Sequence, residues 1–240
     1  MWAVINIVQL VLITVWCLFC CLSFIVVMLL TFSSRNAVRL VGWVWGPGMM
    51  LLTGTRHRVV GKEHLNLKQP SIYVANHVSF LDIPAIAQAV NTPLYFVAKK
   101  ELKKMPIVGW FIWAVGMIFI DRSNREKAYA SLTKAGELVR GGKDVITFPE
   151  GTRSKDATLR QFRKGSFHLA REAGVPIVPI YVHGTDRIWP TGTFRIRPGK
   201  LTVYIGEAIP PEDYEGLSLE EMAKLARARV LDLQQQAQAG

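Results

Sequence analysis

The first charged side chain of this chain is Arg35, and residues 2–32 form an almost unbroken apolar run. As an α-helix this run would be about 46 Å long, against about 30 Å for the hydrocarbon core of a bilayer. So long an apolar segment has to be covered by lipid or by protein, which restricts the folds open to the chain. A cleavable signal peptide fits poorly, because the run lacks a basic start and exceeds the usual apolar core of roughly 7–15 residues.

A second apolar stretch follows at residues 38–52, and Gly46-Pro47-Gly48 interrupts it. The stretch is short for a full membrane span, and its two tryptophans favour the membrane interface. We therefore predict that residues 1–53 form a membrane-embedded helical hairpin whose second arm lies near the interface. The alternative is one transmembrane helix followed by a buried helix of the globular domain.

Residues 54–240 have the pattern of one globular domain, in which strand-like apolar runs alternate with helical patterns. This alternation predicts an α/β fold with a largely parallel central sheet flanked by helices. The predicted strands are 57–60, 72–75, 94–97, 117–120, 145–148, 177–182 and 201–205, and the predicted helices are 83–90, 125–140, 167–173 and 219–236. The run around residues 175–180 contains Pro176 and Pro179. We expect it at an edge of the sheet or in a bent strand, because proline disfavours a central strand.

The charged residues comprise 29 basic and 18 acidic side chains, which gives a net charge of +11. A basic surface beside a membrane segment suits anionic lipid, a phosphorylated substrate or an acidic carrier protein. Nucleic acid is not an expected partner, because basic and aromatic residues do not interleave and no nucleic-acid motif is present. The five histidines are scattered and no His-Glu-x-x-His motif occurs, so we expect no metal.

The segment Asn76-His77-Val78-Ser79-Phe80-Leu81-Asp82 directly follows a predicted strand. A neutral histidine can remove the proton of an alcohol as the alcohol attacks, and a carboxylate on the other ring nitrogen fixes its tautomer. Five residues do not bring two side chains onto one helix face, so the pair requires His77 in the loop and Asp82 at the start of the helix. Spacing alone leaves open that Asp82 only caps the helix.

A second polar cluster, Glu150-Gly151-Thr152-Arg153-Ser154, follows a later predicted strand. Gly151 permits a tight turn, Thr152 offers a hydroxyl donor, and Arg153 can hold a phosphate with two parallel hydrogen bonds. Arg122 and Lys100 also follow predicted strands and are candidate anion contacts. A solvated polar loop and an ion pair at a strand end are the structural alternatives for these residues.

Four motifs occur in the order Asn-His-x4-Asp, Phe-Ile-Asp-Arg, Phe-Pro-Glu-Gly-Thr-Arg-Ser and Val-Pro-Ile-Val-Pro-Ile. Together they resemble the glycerolipid acyltransferase superfamily, and within it the bacterial 1-acyl-sn-glycerol-3-phosphate acyltransferases. The likeness covers about residues 55–210. It implies transfer of a fatty acyl group from a thioester to the sn-2 hydroxyl of lysophosphatidic acid, which gives phosphatidic acid.

The resemblance also implies roles for particular residues. It makes His77 the base and Asp82 its partner, and it assigns Arg122, Glu150, Gly151 and Arg153 to the acceptor. It implies no metal, no cofactor and no nucleophilic residue on the enzyme. The acyl donor would be acyl carrier protein or coenzyme A, between which the sequence does not choose.

Two other functions remain open from the sequence. One is an acyltransferase of the same superfamily with another acceptor, such as glycerol 3-phosphate, another lysophospholipid or a lyso-aminolipid. The other is a basic membrane-binding protein without enzymatic activity. The basic residues beside the apolar arms predict, by the positive-inside rule, an inner-membrane protein whose catalytic domain faces the cytoplasm.

Overall fold

The computed structural model describes residues 2–66, 68–104, 109, 113–121 and 124–239. The described helices are α1 (Trp2–Thr31), α2 (Ser34–Thr53), α3 (Asp82–Val90), α4 (Arg125–Arg140), α5 (Gly165–Ala173), α6 (Thr185–Ile188) and α7 (Leu219–Ala239). The described strands are β1 (Thr55–Val60), β2 (Ile72–Ala75), β3 (Leu94–Lys99), β4 (Ile118–Ile120), β5 (Asp144–Thr147), β6 (Ile177–His183) and β7 (Gly199–Ile205). Each predicted strand and helix is therefore present, with its ends shifted by at most a few residues.

The described strands form one sheet in the order β1-β7-β6-β2-β5-β3-β4. Neighbouring strands are parallel except β6 and β7, which are antiparallel within the described residues. The predicted α/β fold with a largely parallel sheet is confirmed. Strand β2 lies between β5 and β6 and is parallel to both. The loops that follow these three strands therefore emerge together, at the carboxyl ends of the strands.

Alternate side chains of β2 enter cores on opposite faces of the sheet, as the two-residue period of a strand requires. Ile72 and Val74 belong to a core formed with α4, α5 and α7. Tyr73 and Ala75 belong to a second core, which α2 and α3 cover. All four side chains are buried, which explains why β2 is apolar at every position and not at alternate ones.

The strand that contains Pro179 lies inside the sheet, so the predicted edge position is wrong. The carbonyl of Pro179 accepts a hydrogen bond from the N–H of Gly206, which places the proline nitrogen on the side of β7. On that side the hydrogen-bonded pairing between β6 and the segment that ends β7 is interrupted between the pairs Ile180–Ile205 and Ile177–Ile209. The segment between Ile205 and Ile209 contains one residue more than the segment of β6 opposite it. This bulge leaves Pro179 where no N–H is needed.

The predicted helical hairpin is present. The side chain of Gln9 donates to the carbonyl of Leu52 and that of Trp16 to the carbonyl of Trp45, so α1 and α2 run antiparallel. Among the described helices, α1 is long and apolar enough to cross a membrane, judged by length and composition. Helix α2 packs against α3 and buries Met49 and Met50 in a core of the domain. The second arm is therefore also part of the domain, as in the alternative interpretation.

Candidate active site

Asn76, the residue that precedes the histidine, fixes the start of the candidate catalytic loop, residues 77–81 between β2 and α3. Strand β2 ends at Ala75, and the side-chain amide of Asn76 then takes over the pairing with β6. Its nitrogen donates to the carbonyl of Val182 at 3.0 Å, and its oxygen accepts from the N–H of the same residue at 2.7 Å. The side chain of Asn76 thus makes the pair of hydrogen bonds that the backbone of one further strand residue would make. His77 is the first residue of the loop that leaves the sheet.

His77 and Asp82 form the predicted pair. His77 Nδ1 lies 2.8 Å from Asp82 Oδ2, with the histidine in the loop and the aspartate at the first position of α3. Because a carboxylate only accepts hydrogen bonds, Nδ1 carries the proton and Nε2 is free to take one. The histidine side chain is 17% exposed, while that of the aspartate is fully buried.

The Asp82 carboxylate has four hydrogen-bonding partners among the residues that the structure describes. Besides the imidazole, Oδ2 accepts from the backbone N–H groups of Val78 at 2.7 Å and Ser79 at 2.8 Å. Oδ1 accepts from the hydroxyl of Thr185 at 2.6 Å. These donors compensate for the burial of a charge, which is costly when the charge is unpaired. They also hold the carboxylate, and through it the imidazole, in one orientation.

Glu150 supports the same loop from behind. It is 3% exposed. Its Oε1 accepts from the N–H of His77 at 2.9 Å, and its Oε2 accepts from the N–H of Arg160 at 3.2 Å. Burial raises the pKa of this carboxyl above its ordinary value of 4.5, and the two backbone hydrogen bonds oppose that shift. Glu150 therefore contacts the dyad through the backbone N–H of His77 and not through the imidazole ring.

Gly151 and Phe148 shape the floor beside the imidazole. The ring of Phe148 stacks on that of His77 with centroids 4.0 Å apart. Gly151 has a φ of +77°, and a Cβ at this position would lie 2.8 Å from the guanidinium of Arg163. The positive φ explains a glycine at the turn, whereas the guanidinium ends a flexible side chain that can move aside.

Arg153 lies against the catalytic loop. Its guanidinium carbon is 3.7 Å from the centroid of the Phe80 ring, so the arginine stacks on a residue located between His77 and Asp82. Its Nη1 is buried and has no hydrogen-bond partner within the part of the chain that the structure describes. Thr152, next to it, is exposed.

The other predicted anion contacts are placed differently. The amino group of Lys100 is 3.0 Å from a carboxylate oxygen of Asp121, and the lysine side chain is 61% exposed. This pair is the ion pair at a strand end that the sequence left open as an alternative. Arg122 lies outside the described residues, so its predicted role in binding the acceptor stays a prediction.

A cavity of about 470 Å³ lies beside the imidazole, and the sequence did not reveal it. Its walls come mainly from β3, β4, α4 and α5 and are mostly apolar; they include Phe96, Val97, Ile120, Ala128, Leu132 and Leu169. His77, Gly151 and Arg163 also line the cavity. Such volume and composition are typical of a site for a largely apolar ligand.

The arrangement therefore defines a class of protein: an α/β enzyme in which a hydrogen-bonded histidine–aspartate pair lies beside an apolar cavity, with an arginine stacked on the same loop. The family model described as Acyltransferase matches residues 56–183. The chain belongs to this acyltransferase family.

Individual relatives agree with this assignment. A 1-acyl-sn-glycerol-3-phosphate acyltransferase of Saccharomyces cerevisiae is 37% identical over 187 residues, which cover 77% of this chain and 61% of that protein. The human enzyme 1-acyl-sn-glycerol-3-phosphate acyltransferase alpha is 33% identical over 176 residues, which cover 73% of this chain and 61% of that protein. The chain thus spans less than two thirds of the length of these relatives.

The fold is also similar to a solved structure. The crystal structure of PlsC, a 1-acyl-sn-glycerophosphate acyltransferase from Thermotoga maritima, superposes with a TM-score of 0.73 at 29% sequence identity. The match covers 92% of this chain and 95% of that one, so it includes both the sheet and the N-terminal region.

Proposed function

We propose that this protein transfers a fatty acyl group from a thioester to the sn-2 hydroxyl of 1-acyl-sn-glycerol 3-phosphate, which gives phosphatidic acid. The observation that carries the proposal is the hydrogen-bonded pair of His77 and Asp82 beside an apolar cavity that His77 helps to line, with the Arg153 guanidinium stacked on the same loop. The names of the relatives support the choice of acceptor.

The reaction follows from this geometry. His77 Nε2 takes the proton of the acceptor hydroxyl as the oxygen attacks the thioester carbonyl, and Asp82 stabilises the imidazolium that forms. The tetrahedral intermediate collapses with cleavage of the carbon–sulfur bond, and the imidazolium returns its proton to the leaving thiolate. The steps need neither a metal nor a cofactor.

The two ligands would occupy different parts of the site. The acyl chain lies in the cavity between β3, β4, α4 and α5, where apolar walls cover it. The acceptor phosphate lies near Arg153, whose planar guanidinium can hold a phosphate with two parallel hydrogen bonds. Glu150 and Gly151 then act on the acceptor indirectly, because they fix the loop that carries the base. Acyl carrier protein and coenzyme A present the same thioester, and either could serve as donor.

The N-terminal helices would hold the site at a bilayer. The acceptor's acyl chain lies in the membrane and its phosphate lies at the surface, so a cleft at the surface can admit lipid without full desorption. The charged residues begin at Arg35, after α1, and by the positive-inside rule this pattern favours a domain on the cytoplasmic side of the inner membrane.

The test is thioester consumption by the purified protein, measured with both donor types and a panel of acceptors. His77→Ala should reduce turnover at least ~100-fold, as is typical for loss of a positioned base. His64→Ala, in the short helix Lys62–His64, is the matched control and should retain activity. Turnover of His77→Ala close to that of the parent would exclude the mechanism. If the parent protein prefers glycerol 3-phosphate or another lysolipid, the proposed acceptor is wrong and the preferred compound takes its place.

A further inference from the structure

The loop of residues 189–197, between α6 and β7, is bonded directly to the catalytic loop. The hydroxyl of Ser79 donates to the carbonyl of Trp189 at 2.7 Å, and the hydroxyl of Thr191 donates to the carbonyl of Val78 at 2.7 Å. Val78 and Ser79 are the residues whose N–H groups hold the Asp82 carboxylate. Any displacement of this loop would therefore reach the dyad through two hydrogen bonds.

The other end of the same loop is bonded to the start of α1. The side-chain amide of Asn6 donates to the carbonyl of Ile196 at 2.8 Å and accepts from the guanidinium of Arg197 at 2.9 Å. That guanidinium also lies 4.1 Å from the ring centroid of Trp2. Asn6 is buried within an uncharged apolar helix, where a polar group is costly unless it is bonded, and the loop supplies its partners.

Between these two attachments the loop exposes an aromatic side chain. Phe194 is 78% exposed, and Arg195 beside it is also exposed. The bond from Ile196 to Asn6 keeps this tip next to the N-terminal half of α1, whose outer residues Val4 and Ile7 are likewise exposed. An aromatic ring and an arginine next to an uncovered apolar helix are the groups that favour the boundary between lipid tails and phosphates.

We propose that loop 189–197 is a membrane-contact element that couples the bilayer surface to the catalytic loop. Phe194 enters the interface of the leaflet that α1 contacts, and Arg195 meets the phosphates of anionic phospholipids. The hydrogen bonds to Val78 and Ser79 then set the height of His77 above that surface. The contact itself does not depend on the proposed function, and only its effect on turnover rests on it.

Contact with lipid is tested on the full chain in phosphatidylglycerol-containing vesicles. Phe194→Cys, in a background with Cys17, Cys20 and Cys21 replaced by alanine, is labelled with an environment-sensitive fluorophore. The same label at Ala228→Cys is the control, because this exposed residue lies on α7, across the sheet from α2 and α3. We expect lipid-borne quenchers to act at position 194 and not at 228. Equal access of a water-soluble quencher to both positions would overturn the proposal.

Coupling to catalysis is tested with two acceptors. Phe194→Ser should raise the apparent KM for vesicle-borne long-chain lysolipid about fivefold or more, and leave kinetics on a short-chain monodisperse acceptor unchanged. Phe194→Leu, which keeps an apolar side chain, should restore the parent KM. Equal effects of Phe194→Ser on both acceptors would mean that the residue supports the fold. If the parent acylates neither acceptor, the proposed function fails, while the quenching result still decides the membrane contact.

Discussion

Asp82→Asn isolates the contribution of one negative charge to turnover, because asparagine fits the site almost without rearrangement. Its side-chain oxygen can replace Oδ2 and accept from Val78, Ser79 and the imidazole. Its amide nitrogen then faces the hydroxyl of Thr185, which can accept a hydrogen bond instead of donating one. The geometry of the loop is retained, and the charge beside the imidazolium is lost.

The size of the loss follows from the distance. The bonded atoms of the pair are 2.8 Å apart, which places the charge centres about 4 Å apart, where two unit charges attract by about 4 kcal/mol at an effective dielectric of 20. The neutral amide keeps a hydrogen bond and part of this stabilisation, so the transition state should lose roughly 2–4 kcal/mol. We expect kcat to fall roughly 30- to 1,000-fold.

The assay is steady-state turnover on a short-chain acceptor at saturating thioester, together with the melting temperature in detergent. Asp144→Asn is the matched control. Asp144 is also buried and accepts from the N–H of Ser71 and the hydroxyl of Thr92. It lies at the amino end of β5, whereas the dyad lies beyond the carboxyl ends of the strands. Parent-like turnover of Asp82→Asn, or equal losses in both variants, would refute the role of the charge.

Arg153→Lys keeps the charge but loses the planar fork, so the acceptor KM should rise about tenfold while the donor KM is unchanged; a rise in the donor KM alone would place Arg153 in the donor site. Thr185→Val removes one donor to Asp82 and should lower kcat about tenfold at constant KM, whereas Thr185→Ser should recover most of it; equal losses in both would point to packing instead. Burial, assisted by Lys62, lowers the pKa of His57 from 6.5 to about 4, so the unfolded chain takes up this proton first and stability is lost as the pH falls between these values. Melting curves at pH 7 and 4.5 should show a smaller loss for His57→Gln than for the parent, and equal losses would exclude His57 as the cause.

The fold was largely predictable because each strand can be recognised from its own short stretch of sequence. Strands that are buried on both faces are apolar over most of their length: β2 is apolar at every position, and β5 has Val145 and Ile146 between the buried polar residues Asp144 and Thr147. The order of the strands was not predictable, because it depends on pairing between segments far apart in sequence. The central position of Pro179 depends on a bulge in the segment that follows β7, and α6, with four residues, is too short to show a helical period.

The site was predictable where its geometry is local. His77 and Asp82 are five residues apart, and the start of α3 alone brings them together. Thr185 is the fourth partner of Asp82 but lies 103 residues away, and only the adjacency of β2 and β6 unites them. The cavity and the stacking of Arg153 on Phe80 depend in the same way on tertiary packing. The one signal in the sequence was the presence of polar residues directly after neighbouring strands, which indicated a site at the carboxyl ends of those strands.

The hydrogen bonds of the charged groups separate the parts of the site that belong to the enzyme from those that await a ligand. Both oxygens of Asp82 and both oxygens of Glu150 are engaged by donors of the chain itself, so these carboxylates are held in place before any substrate arrives. Arg153 is held by ring stacking, yet its Nη1 has no partner within the described residues. A buried donor without a partner costs about 1–3 kcal/mol. The resemblance implies one task for Glu150 and Arg153, but their surroundings differ: the carboxylate accepts from the backbone N–H of His77, and the guanidinium stacks on the ring of Phe80.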